Sequence, residues 1–483
     1  MAEGPPAPVV LETVVSTADG TLRVHEEAVT VTPGQAPGPD VHVDLDAARQ
    51  RLHGVGAALT ESSAYLLARL PAAERHQALT ELFAADRGGL SVVRLAIGAS
   101  DFVLEAHSLA DSPVPDAALT TFSIDRDRRW VIPVLREILT INPGIEIVAS
   151  PWSAPAWMKN TRTLTWGELE EAYEGVYARY LVRFLEAYRA EGVDIGWLTV
   201  QNEPAVISTS TPSMVMTAHQ QARILRDHLG PALVASGLPT RVLAWDHNWC
   251  DARPPGGCVG NGSSPFPFEV IDRTGGGHPL GGTAFHCYGG DQAAANDAVH
   301  EAQPELRLWH TECSGGEWQG DPFADTAGLV LNDRNHWSNA TLLWNLALDP
   351  DNGPTIGCAT CRGVLTVDPP SGTWVPEVDR DVLATVARFG PQESGVLATT
   401  STGDLVASGV CSPDRRPATI VWNPGGPTTA TIRFDDLALP VDLAGRSLTA
   451  IRAPEGTTCA LADWPALPAP VAAPLPAPPA FTG

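Results

Sequence analysis

Eight short apolar runs, each followed by room for a helix, constrain this chain more than any other feature. They fall at 54–59, 91–97, 145–150, 195–200, 241–246, 283–288, 306–313 and 340–345, about 25 to 55 residues apart. Helical periodicity fills gaps between them, at 71–85, 128–141, 168–191, 213–233 and near 323–335, and the first run opens directly into a helix. Strands alternating with helices in this way close into a (β/α)8 TIM barrel. At 483 residues and 44% apolar content the chain can fill such a barrel and a smaller domain besides. Short β-branched runs at 9–15, 22–29 and 41–45 precede the barrel. Others at 395–411, 418–422, 428–434 and 448–451 follow a helix at 382–389. Gly, Pro and Asp turns separate them, the texture of half a β-sandwich. The expected fold class is therefore α/β, a barrel with an attached β-sandwich side domain. The division is 1–50 and 385–463 for the side domain, 51–384 for the barrel, and a stiff Pro/Ala-rich tail over 464–483.

Two of the runs end in carboxylates. The fourth leads into Gln201-Asn202-Glu203-Pro204, and Pro204 cannot continue a central strand. Glu203 thus stands at the C-terminal mouth, where parallel barrels place their chemistry. The seventh ends in Thr311-Glu312-Cys313. A single such Glu reads as a solvated strand end. Two acids at the ends of two strands of one barrel are the machinery of glycoside hydrolysis.

With Asn202-Glu203-Pro204 and Thr311-Glu312 in that order, the chain resembles glycoside hydrolase family 30, the family of lysosomal glucosylceramidase and microbial β-1,6-glucanases. Ser150-Pro151-Trp152-Ser153-Ala154-Pro155 and Leu343-Trp344-Asn345 carry the same resemblance, which spans roughly residues 45–451. It implies that the segments before and after the barrel join into one side domain. It implies Glu203 as acid/base and Glu312 as nucleophile of a retaining double displacement through a covalent glycosyl-enzyme. Asp101 would hold the outer hydroxyls of a glucose, with Trp152 and Trp344 lining the same subsite. Asn202 would donate to the 2-OH and Tyr288 would orient Glu312. His286 would either line the aglycone side or be a satisfied core histidine. Repulsion from Glu312 is expected to keep Glu203 protonated in the free enzyme. The loop at 358–366 has no counterpart placed in glucosylceramidase and is expected to reshape the aglycone side. The substrate expected first is β-1,6-glucan, attacked internally. Glucosylceramide or another exo-cleaved β-glucoside comes next, then xylans and β-fucosides. Outside catalysis, the alternative is an inactive carbohydrate-binding protein.

A net charge of −25 repels nucleic acid and anionic lipid and suits a neutral carbohydrate partner. The apolar runs are too short to span a bilayer. Residues 1–8 lack the features of a signal peptide, so the protein is secreted with its signal removed or is cytoplasmic. Lys159 is the only lysine among 31 basic residues and reads as compositional bias. No cofactor is expected. Nor is a metal: Asp246-His247-Asn248 reads as cleft wall, since two adjacent side chains do not easily converge on one ion. Of the eight cysteines, Cys250 with Cys258 and Cys358 with Cys361 read as loop-pinning disulfides, with free thiols and then a metal site the alternatives. Cys287 and Cys313, inside strands, read as small buried residues.

Overall fold

The computed structural model describes residues 6–251, 257–260, 262–274 and 280–461, and the stretch from Trp464 lies outside them. Eight parallel strands, Gly54–Ala58, Val92–Ile97, Glu146–Pro151, Trp197–Thr199, Arg241–Asn248, Leu280–His286, Arg307–Glu312 and Ser338–Leu343, close in chain order into a barrel. The last pairs with the first. The first helix, Glu61–Arg69, starts where the Thr60 hydroxyl accepts the Ser63 backbone N–H at 3.2 Å. Two helices begin later than periodicity suggests. The helix expected from 168 starts at Glu174, because Glu168 and Leu169 form bridges to Val215 and Lys159. The helix expected from 213 starts at Ala218 under a Thr217 cap. Phe266–Thr274 and Gln292–Ala302 are further helices whose short patterns did not stand out.

The barrel interior is layered. Val92, Val148, Trp197, Leu243, Ala284, Trp309, Ala340 and Leu342 form one apolar plug. Residues two further along a strand point the same way. The next layer up is therefore Arg94, Ser150, Thr199, His286, Thr311 and Trp344. It is almost wholly polar and almost wholly buried. The fifth strand departs from this rule. Trp245 and Asp246 are left-handed, with φ of 72° and 64°, and the pairing with the sixth strand shifts between Trp245 and His247. This bulge turns Asp246 toward the barrel axis.

The side domain is one continuous sheet of nine strands drawn from both ends of the chain. Its order is His25–Val31, Val9–Thr17, Ser447–Arg452, Pro417–Asn423, Val406–Cys411, Gly395–Ser401, Asp40–Arg51, Thr428–Phe434 and Leu437–Leu443. One face encloses its own core, with Leu11, Val41, Val43, Ile432 and Val441 among its members. From the other face Val14, Val396, Val410, Ile420 and Leu448 enter the barrel's core cluster. The helix Val378–Phe389 lies between the two bodies. Its Thr385 hydroxyl bonds Ser16 at 2.8 Å and its Asp381 accepts from Arg23 at 2.6 Å.

Cys250 is bonded to Cys258, and Cys358 to Cys361. Cys287 and Cys313 are not isolated buried thiols: they form a third disulfide. They follow the sixth and seventh strands, which are neighbours in the barrel, so parallel pairing sets them side by side. The fourth joins Cys411 to Cys459.

Candidate active site

Arg94 is the hub of the polar layer. An arginine in the run Val92-Val93-Arg94-Leu95 can neither face the helices nor sit unpaired in a core. Its guanidinium donates to Asp246 at 3.0 Å, to Asn202 Oδ1 at 2.7 Å and to Glu312 Oε2, and it lies 4.8 Å from the Trp152 ring centroid. Asp246 in turn accepts from Ser150 at 2.5 Å, Thr199 at 2.7 Å and Thr311 at 2.6 Å. Burial alone would push the Asp246 carboxyl up; Arg94, His286 and Ser150 more than offset it and hold it well below the usual carboxylate range. Burial likewise disfavours the Arg94 charge, and Asp246 and Glu312 restore it.

On this floor stand the two carboxylates. Glu203 has a left-handed backbone, φ 45°, and its N–H donates to the Asp246 carbonyl at 2.9 Å. A non-glycine residue held there is strained, and such strain gathers at functional sites. His286 Nδ1 is 3.1 Å from Glu203 Oε1 and 3.8 Å from Glu312 Oε1. Because both oxygens approach one nitrogen, their separation is capped by the sum of those distances. Glu312 accepts from Arg94 on one oxygen and from the Tyr288 hydroxyl on the other, at 3.0 Å.

The remaining residues singled out in the sequence converge here, with two changes of position. Asp101, Trp152, Asn202, Glu203 and Glu312 line one cavity of about 210 Å³. Asn202 Oδ1 is taken by Arg94, which leaves its NH2 group for a ligand. Trp344 stacks on Trp152, centroids 5.0 Å apart. His286 does not line the aglycone side. It is fully buried between Glu203 and Asp246, with its Nε2 3.1 Å from Asp246 Oδ1. Nor are Asp246 and His247 cleft wall. Both are fully buried, His247 against Glu203 and Asp251. The loop after the eighth strand reaches the same cavity, which its Gly357 and Cys358 line. It lies against Asp101, whose carbonyl accepts from Ile356 N–H at 2.8 Å and Thr355 Oγ1 at 3.0 Å. At Gly357 a Cβ would stand 2.5 Å from the Asp101 Cβ, so only glycine allows this approach.

Electrostatics also revise an expectation. Burial pushes the Glu203 carboxyl up, but the imidazoles of His247 and His286 pull it further down, well below the usual carboxylate range. Burial would lower His286; the charge of Glu312 and the bonds to Asp246 and Glu203 raise it to about 9. The proton expected on Glu203 is thus held on the His286 side of the pair. Asp101 is pushed up to about 7 by burial and by Glu312, and its Oδ1 is buried without a partner.

Lys159 is structural. Its ammonium, fully buried, donates to Ser153 Oγ at 2.9 Å and to the carbonyls of Leu164 and Ser213 at 3.0 and 2.7 Å. It ties the loop after the third strand to the segment carrying Ser213 at the cavity edge.

Arg94, Asp246, His247 and Lys159 were the residues whose part sequence reasoning missed. The available signals were a charge within a core strand and a solitary lysine.

A barrel with two carboxylates at its C-terminal mouth defines the class: an O-glycosyl hydrolase. The description "Glycosyl hydrolase family 30 TIM-barrel domain" matches residues 52–369, and the chain belongs to that family, whose members act with retention. It is 29% identical over 405 residues to an endo-1,6-beta-D-glucanase of Neurospora crassa, covering 80% of this chain and 81% of that one. It is 28% identical over 364 residues to putative glucosylceramidase 1 of Caenorhabditis elegans, covering 70% and 67%. A solved endo-beta1,6-glucanase structure superposes with TM-score 0.82 at 29% identity, covering 92% of this chain and 99% of that one.

Proposed function

We propose that this chain is an endo-β-1,6-glucanase in which Glu203 is the acid/base and Glu312 the nucleophile. The observation that carries the assignment of roles is the shared approach of both carboxylates to His286 Nδ1, at 3.1 and 3.8 Å. Donors on both oxygens of Glu312 fix its direction. In the first step a Glu312 oxygen bonds the anomeric carbon as the glycosidic C–O bond breaks. Glu203 passes its proton to the departing oxygen, and His286 Nδ1 stands ready to supply it. In the second step water attacks the anomeric carbon, Glu203 takes its proton, and Glu312 leaves. Asp101 Oδ1, lacking a partner within the protein, accepts from a sugar hydroxyl, while the Asn202 NH2 group donates to the 2-OH. Trp152 offers its ring to the apolar face of the sugar.

Sequence identity to endo-1,6-β-glucanases over four-fifths of the chain supports β-1,6-glucan as substrate. The likeness to glucosylceramidases supports a second reading, an exo-acting β-glucosidase. Four disulfides suit an oxidising compartment and hence secretion. Among the described residues no helix is long and apolar enough to cross a membrane. Product analysis on linear β-1,6-glucan separates the readings. A ladder of short oligosaccharides is expected. Intact glucan, with glucose released from an aryl β-glucoside or glucosylceramide, would replace the endo-glucanase reading with the exo one.

A further inference from the structure

We propose that Glu203, His247 and His286 form a binding site for a zinc-like divalent transition-metal ion, and that an ion bound there inhibits the enzyme by occupying its acid/base carboxylate. The inhibition rests on the reading of Glu203 above; the site itself does not.

The three ligands come from the ends of three consecutive barrel strands, the fourth, fifth and sixth. Asp246 and His247, adjacent in the chain, do not converge on one ion. His247 instead meets Glu203 and His286, because the bulge at Trp245 and Asp246 sends His247 to Glu203 and Asp246 to the axis. One ligand atom from each residue lies within 4.8 Å of the others. His247 Nδ1 is 3.4 Å and His286 Nδ1 3.1 Å from Glu203 Oε1. Zinc bonded to nitrogen and oxygen at about 2.0–2.2 Å in a tetrahedron sets its ligands about 3.4 Å apart, so these spacings match its edges.

The groups behind the two imidazoles are also those of a metal site. Ligating histidines as a rule hand their other ring nitrogen to a carboxylate, which fixes the tautomer and strengthens the ligand. Here His247 Nε2 is 2.8 Å from Asp251 and His286 Nε2 is 3.1 Å from Asp246. With each Nε2–H so engaged, both Nδ1 atoms present either a proton or a lone pair to one carboxylate oxygen. Two lone pairs facing that oxygen repel, and a cation between the three removes the repulsion. His247 Nδ1 is buried and makes no aligned hydrogen bond. It is a donor-quality nitrogen aimed at the site with no other use.

Entry is through the cavity that Glu203 lines. The remaining tetrahedral position points there, to water or to Glu312, whose Oε1 is 3.8 Å from His286 Nδ1. A bound ion would withdraw the Glu203 lone pairs and prevent proton donation to the leaving oxygen.

The test uses the full chain without a histidine tag. Calorimetric titration with zinc chloride at neutral pH should show one ion per chain. The same zinc should inhibit hydrolysis of linear β-1,6-glucan, with recovery on adding EDTA. His247→Gln and, separately, Glu203→Gln should each weaken zinc binding at least about tenfold. Circular dichroism identifies a variant that fails to fold, and the other then decides. Absence of binding by the wild type, or binding unaltered in both folded variants, would overturn the site and leave the catalytic reading standing. Binding that both variants weaken but that leaves turnover untouched would overturn the inhibition and count against Glu203 as the acid/base.

Discussion

The Tyr288 hydroxyl donates to Glu312 Oε1 at 3.0 Å while accepting from the Ser314 backbone N–H at 3.1 Å. It is thereby held from the strand that carries the group it orients. The Cys287–Cys313 disulfide ties the same two segments together. A hydrogen bond to a charged group contributes about 1.5–3 kcal/mol. Tyr288→Phe should therefore lower kcat roughly 10- to 100-fold, at 1.4 kcal/mol per tenfold, with KM little changed. Steady-state kinetics on β-1,6-glucan check this.

Removing Arg94 should unfold more than it inactivates. Arg94→Met leaves Asp246 and Glu312 buried without their cation. Breaking a buried pair from one side costs about 3–5 kcal/mol. Urea unfolding followed by tryptophan fluorescence should show an unfolding free energy lower by that amount. A loss of activity at unchanged stability would contradict it.

The proton shared between His286 and Glu203 sets the alkaline limit. Activity should fall as pH rises through about 9, where His286 loses its proton. His286→Gln should move that limb to lower pH. The stability sign follows from the raised value. The contribution of His286 is complete below its ordinary value of 6.5 and is lost as pH rises through about 9. Rate profiles and melting temperatures of both proteins across that range test the two statements.

Asp101 carries the same sign over a lower pH range. Its carboxyl, raised from 3.8 to about 7, binds more protons in the folded state than in the unfolded one. Stability therefore falls as pH rises from about 4 to about 7. Asp101→Asn should match the wild type at pH 4 and exceed it at pH 8 by roughly 1–3 kcal/mol, the cost of an unsatisfied buried group. KM for the glucan should rise in the same variant.

The disulfides should rank by the loops they close. Cys411 and Cys459 are 48 residues apart, Cys358 and Cys361 only 3. Chain entropy gives about 4 kcal/mol for the first and under about 2 kcal/mol for the second. Denaturant midpoints of the paired Cys→Ala variants should follow that order.

The barrel was legible because each strand is a compact apolar run, and Glu203 and Glu312 stood out as acids where such runs end. What escaped depended on local geometry without a sequence mark. No glycine or proline announces the left-handed turn at Trp245 and Asp246, so the inward faces of Asp246 and His247 could not be read. The pairing of Cys287 with Cys313 requires the register of adjacent strands. The strand Leu437–Leu443 was hidden by Pro440, which is tolerated because this strand lies at the sheet edge. Glu168 and Leu169 follow a helical period, yet bridges to Val215 and Lys159 hold them extended. Lys159 itself was read as composition because one residue shows no pattern.

With its only lysine sealed under the cavity loops, the folded enzyme presents no lysine amine to acylating reagents. Dyes, crosslinkers and activated resins aimed at lysine will find no lysine on its folded surface. When Lys159 does react, the loops must first have parted from Ser153, Leu164 and Ser213. The acylation rate of that one nitrogen, read by mass spectrometry, follows how often those loops part.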